Sequence, residues 1–239
     1  MRLRLYFKLF CFIVIIVGVV LGFDFVFKQY GAHLQQVNVL AKGELGYISK
    51  VQIIDLIKPF QKDTWWMLSV KEIETTLRSY PGIKNIKVQK KWPNELLIEL
   101  TEYKAQAYWN TSKQILLENN EIITPKYLSE TLSLPTFNGD PGDIPLIVDR
   151  YQKLQDISKA HQRVIKQILY QGNQWKVVLD NEVNVWLGSK NIENKFKQLL
   201  ENYQNIAIPE SQKIESIDMR YQNGFAVRFV KPIENKKID

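Results

Sequence analysis

The chain has 239 residues, 45% of them apolar and 24% charged, with a formal net charge of +7. These proportions are ordinary for a folded protein and exclude a mainly disordered, collagen-like or low-complexity chain. The single cysteine, Cys11, excludes an internal disulfide and a cysteine-ligated zinc site, and two histidines leave little for a histidine metal centre. We therefore expect neither a metal nor a cofactor.

The most apolar part of the sequence lies near its start. As a helix, the run from Leu5 to Phe27 would be roughly 35 Å long, enough to cross a bilayer. Three basic residues precede its uncharged part, within the first eight positions. Basic residues favour the cytoplasmic side, so we predict a cytoplasmic tail at 1–7, a transmembrane helix at 8–28 and export of the remainder. A cleaved signal peptide is the alternative. Signal peptides usually have an apolar stretch of only about 7–15 residues followed by a small-residue cleavage site, whereas the run here is longer and no good site of that kind follows it.

The next part of the sequence predicts a small α+β module. A short strand at Val37–Leu40 precedes two helices, each opened by a capping box, at Ser49–Gln52 and at Ser69–Glu72. The apolar period then changes to two on both sides of Trp92-Pro93-Asn94, which predicts a hairpin. The predicted order over residues 34–103 is strand, helix, helix, strand, strand.

Residues 104–230 predict a mixed β domain with flanking helices. Apolar spacings of three and four predict one helix over residues 148–168 and another over residues 191–205. Between the strands, Leu134 to Pro145 holds three prolines and two glycines and is predicted to be a loop. The fold class we expect is therefore α+β, with the β domain following the smaller module.

The end of the sequence carries the clearest hairpin signal. Apolar residues alternate on both sides of Asn223-Gly224, the strongest two-residue turn. Period two places Phe225, Val227 and Phe229 on one face of the last strand, which we expect at a sheet edge. The polar residues 231–239 are expected to fray.

Charged clusters do not assemble an active site in the sequence. Four lysines between positions 84 and 91 stand beside Trp92, but a solvated strand face explains them more simply than nucleic acid does. Residues 138–143 predict a turn rather than a calcium loop, because the EF-hand spacing is missing. A phosphate loop, a nucleophile elbow and a metalloprotease motif are all missing from the sequence. The sequence thus predicts a binding or scaffolding protein with no catalytic residues, no nucleic acid and no small-molecule substrate.

Several strings of residues stand in a recognisable order along the chain. They are Lys90-Lys91-Trp92-Pro93-Asn94-Glu95-Leu96, Ala107-Tyr108-Trp109, Leu134 to Gly142, Val185-Trp186-Leu187-Gly188 and Ile217 to Val227. Their order and spacing behind one N-terminal apolar segment resemble the FtsQ/DivIB family of bacterial cell-division proteins. The resemblance implies a non-enzymatic inner-membrane protein of the division septum, with a POTRA domain at 34–103 and a β domain at 104–230.

The resemblance also implies partners and a surface that binds them. The partners are FtsB and FtsL, two small membrane-anchored coiled-coil proteins, together with other proteins of the division assembly. The partner-binding residues carried over onto the last hairpin are Arg220, Tyr221, Asn223, Gly224, Phe225, Arg228 and Phe229.

Two other functions remain open on the sequence alone. A POTRA-bearing component of outer-membrane assembly or secretion would have a chaperone-like binding role, and it would be expected to carry several POTRA modules. A membrane-tethered periplasmic enzyme would need a convergent polar site, which the sequence does not assemble.

Overall fold

The computed structural model describes most of the chain. The described residues are 12–22, 25, 36–41, 45–63, 65, 67–92, 94–128, 132–221 and 224–230. Residues 12–22 are helical, and within the described ranges no helix is both long and apolar enough to cross a bilayer. Apart from residue 25, the rest of the span predicted at 8–28 lies outside the described residues, as do the predicted tails at 1–7 and 231–239.

The chain divides into two compact units. One unit comprises Met1–Tyr103 with Lys126–Ser129, and the other comprises Lys104–Pro125 with Glu130–Asp239. Each unit has its own sheet, of three strands in the first and nine in the second.

The first unit has the predicted order of elements. They are β1 (Gln36–Ala41), α1 (Lys50–Ile57), a 3-10 turn (Lys58–Lys62), α2 (Val70–Arg78), β2 (Ile83–Lys91) and β3 (Glu95–Glu102). Strand β3 lies in the middle of the sheet, parallel to β1 and antiparallel to β2. The prediction of a strand–helix–helix–strand–strand module is confirmed.

Local sequence sets the helix boundaries in this unit. At α1 the Ser49 hydroxyl accepts the Gln52 N–H, and the Gln52 side chain accepts the Ser49 N–H at 2.8 Å, a complete capping box. At α2 the Ser69 hydroxyl accepts the Glu72 N–H, which is the first half of the box predicted there. Helix α1 ends at Ile57, since the proline ring at position 59 cannot continue it.

The core of the first unit is formed by one face of each helix and the inward residues of the hairpin. Its buried members include Ile53, Ile57, Ile73, Leu77, Ile86, Val88, Leu96, Ile98 and Leu100. Removing these apolar surfaces from water supplies the main driving force for folding of the unit.

The second unit is a nine-stranded mixed sheet with two main helices. Its elements are β4 (Ala105–Trp109), β5 (Thr111–Leu117), β6 (Ile122–Ile123), β7 (Thr136–Asn138), a 3-10 turn (Pro141–Asp143), α3 (Ile144–Ala160), β8 (Ile165–Gln171), β9 (Gln174–Leu179), β10 (Asn184–Gly188), α4 (Ile192–Asn202), a second 3-10 turn (Tyr203–Asn205), β11 (Lys213–Asp218) and β12 (Ala226–Val230). The strand order across the sheet is β12-β11-β10-β9-β8-β7-β4-β5-β6. Strand β12 is therefore an edge strand.

The helix predicted over residues 148–168 is wrong at its C-terminal end. Helix α3 ends at Ala160, and Ile165 begins strand β8. A bulge in β8 shifts its register on β9 between Ile165 and Gln167, so that Ile165 and Ile168 are both buried although three residues apart. A spacing of three inside a bulged strand imitates helical periodicity.

The loop predicted from Leu134 to Pro145 contains a short strand. Strand β7 pairs in parallel with both β4 and β8, and Phe137 at its centre is 2% exposed. Its three residues lie between prolines and glycines, which are typical of loops. A strand of three residues is too short to show an alternating apolar pattern against them. The strand matters because it joins the two halves of the nine-stranded sheet.

Candidate partner-binding edge

Strand β12 presents an open side to solvent. It pairs with β11 on one side, and within the described part of the chain no strand pairs with its other side. Val227 and Phe229 are half-buried against the core, whereas Ala226, Arg228 and Val230 are exposed. The expected edge position is confirmed, and a period of two separates an inward face of β12 from an outward one.

The two-residue turn predicted at Asn223-Gly224 is wrong. Strand β11 ends at Asp218 and β12 begins at Ala226, so seven residues connect them, and Asn223 lies outside the described residues. The Asp218 carboxylate accepts the Arg220 N–H at 3.0 Å, a local bond that competes with the strand ladder. The Met219 N–H donates to the Trp186 carbonyl of β10 at 2.8 Å, so contact with β10 continues one residue past the end of β11.

Arg220 is held in place by Asp218. Its Nε lies 2.9 Å and 3.0 Å from the two carboxylate oxygens, and its Nη2 donates to Oδ2 at 2.6 Å. The hydrogen bonds from the Arg220 side chain hold the pKa of the Asp218 carboxyl below its usual value. The pair fixes the direction of a guanidinium that is itself on the surface.

An indole plane lies beneath two cations at this end of the sheet. The Trp186 ring centroid is 5.6 Å from Arg220 Cζ and 4.9 Å from the ammonium of Lys176. Both distances lie within the range of cation–π attraction. Gly188, whose φ is +80°, passes close to Arg220: a Cβ there would lie 3.4 Å from Arg220 Cγ.

Sequence reasoning missed Trp186, Lys176 and Asp218 as parts of this site. Trp186 lies opposite Asp218 in the parallel register of β10 and β11, and Lys176 lies opposite Trp186 in the antiparallel register of β9 and β10. The spacing of Asp218 and Arg220 was the only local signal for the pair. The stacked ring could be found only from strand pairing between distant segments.

Tyr221 lies between two grooves. One, of about 700 Å³, is lined by Trp186, Asp218, Arg220 and Tyr221 together with residues of β12. The other, of about 300 Å³, lies between α4 and the connection before β12 and includes Phe225 in its lining. The Tyr221 side chain is 60% exposed, so it offers a flat apolar surface and a hydroxyl to anything that enters either groove.

The remaining predicted residues have different surroundings. Gly224 lies in open space, since a Cβ added there would meet no atom within 4 Å. Phe225 is 41% exposed just before the strand. Arg228 is exposed on β12, with its Nε 3.8 Å from the Glu215 carboxylate. Phe229 points inward and pairs with Ile214, so it contributes to the core of the unit.

The structure thus brings four predicted residues together beside the open edge: Arg220, Tyr221, Gly224 and Phe225. Arg228 stands on the edge strand itself, and Phe229 lies beneath it. The surroundings combine cations, aromatic planes and a strand edge, which suits an extended peptide with acidic and apolar residues. In the described ranges, His, Cys, Asp and Glu form no group of three that could hold a metal ion.

Two family models match the chain. The POTRA domain of FtsQ type matches residues 33–103, and the C-terminal domain of the cell division protein FtsQ/DivIB matches residues 107–220. The second match includes Arg220 and ends there.

Individual relatives are similar over most of the chain. Cell division protein FtsQ of Coxiella burnetii is 24% identical over 184 residues, which cover 77% of this chain and 75% of the relative. The protein of the same name from Neisseria meningitidis is 27% identical over 198 residues, 82% of this chain and 83% of the relative. That of Escherichia coli is 27% identical over 169 residues, 69% of this chain and 61% of the relative.

A POTRA domain followed by this C-terminal domain defines a class of bacterial cell-division protein. The resemblance noted in the sequence is confirmed by both family models and by the individual relatives. The chain belongs to the FtsQ/DivIB family.

Proposed function

We propose that this protein is a non-enzymatic scaffold of the bacterial division assembly. Residues 8–28 anchor it in the inner membrane, with the tail 1–7 in the cytoplasm and both folded units in the periplasm. It holds the membrane-anchored proteins FtsB and FtsL at the division septum. Membership of the cell-division family supports the setting, and the two grooves beside an open strand edge support a binding role.

The observation that carries the proposal is the open edge of β12. An extended segment of FtsB adds to this edge as a further strand, so its backbone pairs with N–H and C=O groups that no other described strand uses. Backbone pairing supplies much of the affinity. The side chains around the edge select the partner and set its register.

Arginine and aromatic residues supply that selection. Asp218 accepts hydrogen bonds from the Nε and Nη2 of Arg220. The Nη1 of Arg220 then donates to a carboxylate of the partner. Arg228 offers a second cation on the strand itself, and Tyr221 and Phe225 offer flat apolar area in the adjoining groove. The inward Phe229 acts on binding only through the shape of the strand.

The experiment is capture of FtsB by a full-length Gly224→Trp variant. The site is open, so the indole meets solvent in the free protein and blocks the groove to a partner. We expect capture to fall about tenfold or more, which is the size of a central interface change. Gly142→Trp is the matched control, because a Cβ there also meets nothing within 4 Å. Equal capture by both variants would show that FtsB does not bind at this edge.

A charge reversal tests the role of the cation on the strand. Arg228→Glu should weaken capture and reduce its dependence on salt, since a favourable ion pair with the partner becomes repulsive. Lys166→Glu is the control: Lys166 is exposed on β8 of the same sheet and lies 3.5 Å from Glu182. If both reversals lower capture equally, the effect comes from net charge and not from the edge.

Topology is tested separately from partner binding. A reporter that is active only outside the cytoplasm should be active when it is fused after residue 239. The protein should resist extraction with alkaline carbonate and should retain its first residues. A new N-terminus near Ala32 would show a cleaved signal peptide instead of an anchor.

A further inference from the structure

We propose that one end of the first unit rests on the surface of the lipid bilayer through the exposed side chains of Met67 and Trp92. We call this end the aromatic end; its described residues are Asp63, Trp65, Met67 and Leu68 before α2, and Lys91 and Trp92 at the end of β2. The inference rests on the membrane anchor proposed above. The lipid-facing role of this end does not depend on FtsB or on β12.

Two loops lie side by side at the aromatic end. The Lys90 ammonium donates a hydrogen bond to the Trp65 carbonyl at 2.8 Å and lies 5.4 Å from the centroid of the Trp65 ring. Trp65 is only 3% exposed, so it fixes the loop to the body of the unit. Met67 follows Trp65 by two residues and Trp92 follows Lys90 by two, so neighbouring loops carry the two exposed side chains.

Met67 and Trp92 are unusually exposed for their size. Met67 is 80% exposed and Trp92 is 66% exposed, whereas the helices and the hairpin of this unit bury their larger apolar residues. Tryptophan is enriched at the boundary between water and bilayer, where its ring enters the headgroup region. An exposed methionine and an exposed tryptophan near the same end of the sheet are suited to that boundary.

The strand register places the aromatic end at the end of the sheet where β1 begins, which is the end nearer in sequence to the proposed anchor. Strand β1 is parallel to β3, with Gln36 opposite Glu95, so the start of β1 lies at the end of the sheet that carries the turn at Trp92. Seven residues, 29–35, separate Gln36 from the proposed anchor. Fully extended, they and the bonds that flank them span at most about 28 Å. The aromatic end is thus held near the bilayer.

The opposite end of the unit provides an internal comparison. The Ile48 N–H donates to Glu102 at the far end of β3, and α1 begins two residues later. Val51, in the first turn of α1, is 66% exposed, as much as Trp92. An exposed apolar residue of equal accessibility therefore stands at the end that is remote from the anchor.

The charges at the aromatic end permit contact with anionic lipid. Lys62 is exposed five residues before Met67, and Lys91 is exposed directly before Trp92; Asp63 is exposed beside Lys62. Long lysine side chains can place their ammonium groups among phosphates while their stems lie along apolar surface. The short link to the anchor makes the bilayer the nearest surface, so we assign the lipid and not a protein as the occupant.

Depth-dependent quenching tests the assignment on the full chain. Single cysteines at Met67→Cys, Trp92→Cys and Val51→Cys, in a Cys11→Ala background, are labelled with a small fluorophore. The protein is reconstituted into vesicles of phosphatidylethanolamine and phosphatidylglycerol that include lipid with a nitroxide near the headgroup. We expect about a twofold loss of fluorescence at positions 67 and 92, because interfacial groups sit within the headgroup region, and little loss at position 51.

The outcomes separate this proposal from the anchor. Protein that resists carbonate extraction but is quenched equally at positions 67 and 51 overturns the lipid contact and leaves the anchor intact. Protein that carbonate releases overturns both. Lys91→Glu should reduce quenching at position 67 in vesicles containing phosphatidylglycerol, and quenching that this variant leaves unchanged would show that Lys91 takes no part. Because the vesicles contain no other protein, quenching at position 67 cannot come from a protein partner.

Discussion

Two carboxylates, one in each unit, stand at the ends of strands and act in opposite ways. Glu102 at the end of β3 accepts the backbone N–H groups of Gly46, Tyr47 and Ile48 at 2.8, 3.4 and 2.8 Å. Asp218 at the end of β11 accepts one backbone N–H and is otherwise held by a guanidinium. The first carboxylate closes a loop onto its own unit, and the second orients a surface cation.

Their acidities differ for a physical reason. Burial raises the pKa of the Glu102 carboxyl, and the three backbone N–H groups offset this only in part. Asp218 is nearer to water, and the side chain of Arg220 lowers the pKa of its carboxyl. A carboxylate surrounded by backbone donors is therefore part of the fold, whereas one paired with an exposed cation can position that cation for a partner.

Removing the two carboxylates should separate these roles. Glu102→Ala leaves three N–H groups of the loop before α1 without an acceptor, and we expect a loss of about 2–4 kcal/mol in the free energy of unfolding of the first unit. Hydrogen exchange of peptides from residues 45–63 in the full-length protein would report it.

Asp218→Ala is the matched change in the second unit. It should cost less than about 1 kcal/mol in stability, because the guanidinium of the pair is about half exposed, yet it should weaken FtsB capture by releasing Arg220. A stability loss at Asp218 as large as that at Glu102 would contradict the distinction.

A smaller loss of stability is expected on removing the Tyr47 hydroxyl, which lies in the loop held by Glu102 in the first unit. The Tyr47 hydroxyl donates its one proton to the Tyr103 carbonyl at 2.6 Å and also lies 3.0 Å from the Gly82 carbonyl. Tyr47→Phe removes this donor from a site that is 2% exposed, and we expect a loss of about 1–2 kcal/mol. Urea unfolding measures it. Tyr80→Phe, at a half-buried phenol whose oxygen accepts a bond from Gln52 at 3.3 Å, is the control and should cost less.

The first unit was predictable from its sequence because its signals are local. Capping residues, a proline and the change of period each occur within a few positions of the element that they define, as at Ser49 and Pro59. The hydrogen bonds from the loop before α1 to Glu102 were not predicted, because their donors lie 54 to 56 positions from Glu102 in the sequence. Only the folded sheet brings that carboxylate to the start of α1.

In the second unit, sequence patterns placed strands better than they placed turns. The edge position of β12 and the inward face of Val227 and Phe229 followed from period two. The connection before β12 did not, because seven residues join the two strands where Asn223-Gly224 predicted a turn of two. Arg220 and Tyr221 came from the family resemblance, and the ring of Trp186 beneath Arg220 depends on a strand register that no local pattern encodes.

The smallest effect concerns the acidity of Asp218 itself. Its pKa in the folded protein lies below the usual 3.8, so its pairing contributes stability above that value, and the contribution is lost as the pH falls through the lowered folded-state pKa. For Glu102 the dependence of stability on pH has the opposite sign. Its raised pKa in the folded protein stabilises the folded state below pH 4.5, and this contribution is lost as the pH rises through the folded-state pKa. Arg220→Ala should raise the pKa of Asp218, because it removes the side-chain hydrogen bonds and the positive charge that lower this pKa in the parent protein. A carboxyl-carbon NMR titration of parent and variant measures the shift, with Glu102 as the internal control that should titrate identically in both. If the pKa of Asp218 is the same in parent and variant, the guanidinium does not govern this carboxylate, and the comparison between the two strand ends loses its basis.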